Sequence, residues 1–176
     1  MTIIIIAAAV LLLSVLYIAK IRQQLTIMNE NINNAMSQIG VQLSSRYDVV
    51  TALAELVGEY DAGESRAMLE AIRSSRNTVD AQSLPSEVTR QEKIMEELLC
   101  RIAAAAERCP QLKNDPRYLR YLNAAERYEN MICTGCMIYN DSVSKLNRII
   151  HRLPVRQAEK VLGISRREYI EMADEK

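Results

Sequence analysis

The chain predicts an all-α fold: an N-terminal transmembrane helix continuous with an antiparallel up-down bundle of three long helices plus a shorter helical segment. Three observations carry this. Thr2 to Ala19 is an uncharged, almost wholly apolar run. Beyond it, apolar residues recur at three- and four-residue steps, the spacing of one helix face. Only five Gly and four Pro punctuate 176 residues, and the alternating, turn-bounded runs that mark strands are missing outside the first stretch.

The eighteen residues of "TIIIIAAAVLLLSVLYIA" span about 27 Å as a helix at ~1.5 Å per residue, close to the ~30 Å hydrocarbon core of a bilayer. A secretory signal has a basic leader, a shorter apolar run and a small-residue cleavage site, and "LYIAKIR" does not provide that site. An uncleaved anchor is therefore preferred to a cleaved signal or a buried core helix. Lys20 and Arg22 follow the run directly, and the positive-inside bias puts them in the cytoplasm and the amino terminus outside. Tyr17 lies where an interfacial aromatic would sit. The expected division is 1–19, transmembrane anchor, and 20–176, cytoplasmic helical bundle, in a single-pass protein of the cell (inner) membrane.

The apolar pattern continues past the anchor as a stripe: Ile21, Leu25, Met28, Ile32, Ala35, Ile39, Leu43, Tyr47, Val50, Leu53, Val57 and Tyr60. One helix running to about Tyr60, on the order of 80–90 Å long, follows. "DAGE" (61–64) reads as a turn and Glu64–Val79 as a second, short helix. "DAQSLPSE" (80–87) is a loop, with Ser86 as the expected cap of a third helix lined by Val88, Gln91, Met95, Leu98, Ile102, Ala105 and Cys109. Pro110 ends it. Asp115 then caps a fourth helix with Pro116 at its first position, where a missing N–H is harmless. From Tyr118 to Leu153 the fourth helix repeats by four and three, which implies coiled-coil-like packing. After Pro154 a short helix closes at Gly163, and "SRRE" (165–168) fits a capping box opening a last turn through Ile170.

Lys plus Arg equals Asp plus Glu, 22 of each, so no basic excess points to nucleic acid. The four cysteines, Cys100, Cys109, Cys133 and Cys136, sit in helical, mostly apolar settings and read as reduced core residues. Cys133-Thr134-Gly135-Cys136 is a CxxC in mid-helix, where backbone amides are already bonded and cannot stabilise a thiolate; a zinc site needs further ligands, and His151 is the single histidine. No cofactor or metal is expected, and no nucleophile–base set is visible.

Glu129 occupies a stripe position on the fourth helix, and Arg46 and Asp48 break the first in the same way. A buried carboxylate is costly unless paired. Arg46 and Glu129 are therefore the expected polar pair across the bundle, fixing helix register; the alternative places Glu129 at the rim, in water.

"AMSQIGVQLSSRYDVVTALAELVGEYDAGE" (35–64), "AAAERCPQLKNDPRYLRYLNAAERYENMICTGCMIYNDSVSKLN" (104–147) and "LPVRQAEKVLGISRREYI" (153–170) together resemble the LemA family. Gln42-Leu43 with Arg46 and Asp48, Pro110 with Leu112, Glu129-Asn130, Tyr139-Asn140, and Leu153-Pro154 with Leu162-Gly163 carry the likeness. The chain departs from the family's usual residues at Met36, Gly40, Thr51-Ala52 and Gly135-Cys136. The resemblance implies a membrane-anchored helical bundle of bacterial type, with the bundle cytoplasmic, and implies no reaction; one branch of the family is associated with building magnetosome membranes.

The expected function is non-enzymatic: a membrane-anchored structural or scaffolding protein that self-associates at the cytoplasmic membrane and organises or remodels it. Its partners would be the lipid bilayer and further copies of itself. Ala7, Ala8 and Ala9 would allow close approach within the bilayer, and Asn29 and Asn33 would meet neighbouring copies just outside it. The alternative is a monomeric membrane-tethered adaptor that binds a cytoplasmic protein.

Overall fold

A computed structural model describes residues 1–152 and 165–171. Among these residues the chain is helical, with no strand, and forms five helices: α1 (Thr2–Gly58), α2 (Ala62–Ser75), α3 (Pro85–Arg108), α4 (Pro110–Lys113) and α5 (Pro116–Arg152). The helix expected over residues 154–163, and Leu153, lie outside the described residues. By packing, the chain divides into two compact units: Met1–Ile32 with Asp141–Glu168, and Asn33–Asn140 with Tyr169–Lys176. This is a division by contact and does not test the expected boundary of an anchor at residue 19.

In the first unit, α1 begins as a helix that packs against none of the described residues. From Ile3 to Ile18 every large apolar side chain is between 55 % and 81 % exposed. This helix is long and apolar enough to cross a membrane. Burial begins beyond the basic pair, at Leu25 and Ile32 on α1 and at Val143, Leu146 and Ile150 on α5, all stripe positions.

In the second unit the α1 stripe is buried at Ala35, Ile39, Leu43, Tyr47, Val50, Leu53 and Val57. Tyr60 departs from the stripe because α1 ends at Gly58; it is 37 % exposed and its hydroxyl reaches Asp115 at 3.4 Å. One core cluster joins Leu53 and Val57 of α1, Met68 and Ile72 of α2, Met95, Leu98 and Ile102 of α3, Leu112 of α4 and Tyr118 of α5. Each such aliphatic side chain, fully buried, contributes roughly 1.5–3 kcal/mol.

Several boundaries differ from expectation. The second helix starts at Ala62 because Asp61 caps it: its carboxylate accepts from the Glu64 amide at 3.0 Å. It stops at Ser75, short of Val79. Val79 is buried in the connecting loop, and its carbonyl lies over Gly40, where a Cβ would come within 1.9 Å of the Val79 oxygen. α3 starts at Pro85 with Leu84, not Ser86, at the cap position; proline at N1 serves because its absent N–H would have had no partner. The return before α5 contains a one-turn helix, α4, which burial of Leu112 holds in place. Asp115 does sit at the head of α5, accepting from the Arg117 amide at 2.7 Å.

The largest correction concerns the end of the chain. Residues 165–171 are not helical. In the first unit Asn147 holds the Arg167 main chain on both sides, donating to its carbonyl at 3.0 Å and accepting from its amide at 3.1 Å. In the second unit Asn140 holds Ile170 in the same way, with both bonds at 2.9 Å. A side-chain amide meets the N–H and C=O of one residue together only where both point the same way, as in an extended strand. The asparagines thus satisfy backbone groups that a helical turn would otherwise have satisfied.

Candidate functional site

The second unit contains one buried ionic cluster. Arg46 is 2 % exposed. It lies on the α1 stripe between Leu43 and Val50, so the helix period drives its Cβ inward. Its Nη2 donates to Glu129 Oε2 of α5 at 2.7 Å and its Nη1 to Glu92 Oε2 of α3, also at 2.7 Å. One guanidinium thus joins three helices. The two carboxylates are not equivalent: the Glu129 side chain is 55 % exposed and that of Glu92 27 %. Glu129 therefore pairs with Arg46 and reaches the rim at the same time, and the two sequence alternatives for it do not exclude each other.

Glu92 is the member that the sequence reading missed. Burial pushes its carboxyl above the ordinary glutamate range, against the pull of Arg46. Its Oε1, Arg46 Nε, the Tyr47 hydroxyl and both amide atoms of Gln91 are buried with no hydrogen-bond partner among the described residues. A signal was available: a fully buried arginine has five donors, more than one carboxylate can satisfy. The same counting calls for a second acceptor on a facing helix.

Cys136, on the α5 stripe, is buried and faces this cluster. Burial, reinforced by the nearby Glu92 charge, pushes its thiol up to about 12. Burial thus favours the protonated, less nucleophilic form of this thiol. All four cysteines are free, and Cys100 is exposed. Among the described residues no three His, Cys, Asp or Glu side chains converge as a metal site. His151 is exposed on α5. Asp48 is also at the surface, paired with Arg76 at 2.8 Å. That guanidinium also donates to Ser44 at 2.9 Å and lies over the Tyr47 ring at 5.7 Å.

A second ionic group is superficial. Arg117 forms a two-pronged contact with Glu59 at 2.7 and 2.8 Å and binds Asp115 at 2.7 Å. The Arg117 hydrogen bonds hold both carboxyls below their usual range. The group ties the start of α5 to the last turn of α1.

Ala7, Ala8 and Ala9 lie on the exposed part of α1. Asn29 is half-buried within the first unit, where its Oδ1 accepts from Arg167 Nη2 at 3.0 Å. Asn33 is half-buried in the second. The Arg46 and Arg117 groups each tie helical segments of the second unit together. The sequence profile described as the LemA family matches residues 35–176. No curated protein matches the chain.

Proposed function

The chain belongs to the LemA family, and from that premise we propose that it is a non-enzymatic, membrane-anchored structural protein that self-associates at the cytoplasmic membrane and organises it. The observation that supports membrane anchoring is the start of α1. A helix that is apolar all round and exposed from Ile3 to Ile18 has no stable home in water, and lipid covers it at no cost in lost contacts. In this reading Thr2–Ala19 is the anchor, the amino terminus is outside, and α1, α3 and α5 run as an antiparallel up-down bundle on the cytoplasmic side, with coiled-coil-like packing along α5. Arg46 fixes the register of the three helices. The pairing of the buried ionic groups with one another supports a structural role for them.

A second reading, a tethered adaptor, is favoured by one feature of α5: Leu119, Met131, Met137 and Ile138 are each more than half exposed. Methionine-bearing surfaces adapt to varied partners. Protein extracted in mild detergent and sized by light scattering separates the two. Uniform particles of several copies support the first reading; a monomer removes it and leaves the adaptor. Detected turnover abolished by changing Glu129 or the cysteines would overturn both.

A further inference from the structure

Three contacts in the second unit make a receptor. Asn140 of α5 brackets the Ile170 main chain. Thr89 of α3 donates to the Glu171 carbonyl at 3.0 Å. The Ile170 side chain is 3 % exposed, while Tyr169 beside it is half exposed. The groove between α3 and α5 thus reads two successive carbonyls, one amide and one branched aliphatic side chain. This is the chemistry of peptide recognition, in which main-chain bonds give affinity and one pocket gives register.

We propose that this groove is a peptide-binding site, and that in the membrane assembly it takes the Ile170 segment of a second copy in place of its own. The inference rests on the self-association proposed above. Each copy carries both the groove and its ligand, so exchange replaces every contact with an identical one and needs no new surface, the low-cost route to assembly by swapping. Confinement to a bilayer raises the concentration at which neighbours compete with the tethered segment. In the first unit, Arg167 of the same segment reaches Asn29. A donated segment would therefore make Asn29 a contact between copies, the role expected of it from the sequence.

Full-length chains bearing two different tags test this. One carries Thr89→Cys, the other Glu171→Cys; they are co-expressed, extracted in mild detergent and exposed to a mild oxidant. Exchange predicts a disulfide-linked heterodimer well above that of the parent pair; Asn140→Ala, which removes two hydrogen bonds from the own and the donated segment alike, should lower heterodimer and internal closure together. A single chain carrying both cysteines shows by internal closure that the groove still forms. Internal closure without heterodimer overturns the exchange. If particles of several copies persist alongside that result, self-association stands without it; if the wild-type protein is a monomer, both fail.

Discussion

Replacing Arg46 by Met tests the buried cluster directly. Methionine has a similar length and no charge. The variant leaves Glu92 with most of its side chain buried, one oxygen already unpartnered and the other stripped of its guanidinium. Removing one member of a buried ion pair costs about 3–5 kcal/mol. Glu92 keeps 27 % of its side chain in contact with solvent, so the lower end, about 3 kcal/mol, is expected. For a chain of this size that lowers Tm by roughly 6–12 °C. Glu129→Gln removes only the rim partner, whose side chain is 55 % exposed; such pairs contribute ~0–1 kcal/mol.

The pH dependence has a definite sign. Burial raises the Glu92 carboxyl above its unfolded value, so the folded chain holds that proton to higher pH than the unfolded chain. Stability from this group therefore falls as pH rises through the folded pKa and recovers as pH falls towards the unfolded glutamate value of about 4.3. Arg46 opposes the rise, and its loss enlarges it. The deficit of Arg46→Met should be greatest near neutrality and shrink on acidification. Adding Glu92→Leu should restore most of the loss, since no buried charge then remains. Urea titrations in mild detergent, followed by far-ultraviolet circular dichroism at a series of pH values, measure all four chains. A deficit independent of pH, or Glu129→Gln costing as much as Arg46→Met, would refute the assignment of Glu92 as the buried partner.

Gly40→Ala should cost about 1–3 kcal/mol, because a Cβ placed 1.9 Å from the Val79 carbonyl oxygen forces the loop after α2 to move; the same titration reads it. Asp61→Ala should cost ~1 kcal/mol by uncapping α2, with Asp61→Asn nearly neutral. Under iodoacetamide at mildly alkaline pH, mass spectrometry should find Cys100 labelled rapidly and Cys136 only after unfolding, since Cys136 is buried and its thiol stands at about 12; early labelling of Cys136 would contradict its packing.

The residues that face inward on α1 and α3 were legible because helix period and burial are one constraint: Ile39, Leu43 and Val50, then Val88, Met95 and Ile102, fall on the expected lines and are buried. Arg46 and Glu129 were legible for the opposite reason, as charges on the apolar lines of α1 and α5. Glu92 was not, because it stands one position off the α3 line beside Gln91 and resembles the exposed Glu96 and Glu97. The last segment misled because "SRRE" has the composition of a capping box, and composition does not reveal a competing partner. Asn140 and Asn147 held the clue. Asparagine is disfavoured within helices, yet these two stand seven residues apart on α5, each next to a buried stripe residue, Tyr139 and Leu146. Polar side chains repeating at the heptad spacing beside a core line mark backbone held against that helix.

The character of α1 changes along its length, and that change makes the anchor separately testable. Before Lys20 the helix is apolar all round and none of its large side chains is buried; from Leu25 onward only one stripe is. In the proposed reading a substitution in the first stretch therefore acts on membrane insertion and removes no packed contact among the described residues. Leu12, 60 % exposed, sits near the middle of the run. Leu12→Arg should raise the cost of insertion by about 3 kcal/mol or more and move protein into the alkaline carbonate wash of isolated membranes. The urea midpoint should stay within about 0.5 kcal/mol of wild type, as for a surface change that removes no packed contact. Leu43→Arg, in the buried stripe of the same helix, should do the reverse, abolishing cooperative unfolding while leaving the chain in the membrane. If Leu12→Arg instead destabilised the fold as Leu43→Arg does, residues 2–19 would be packed against protein and not lipid, and the assignment of an anchor would fail.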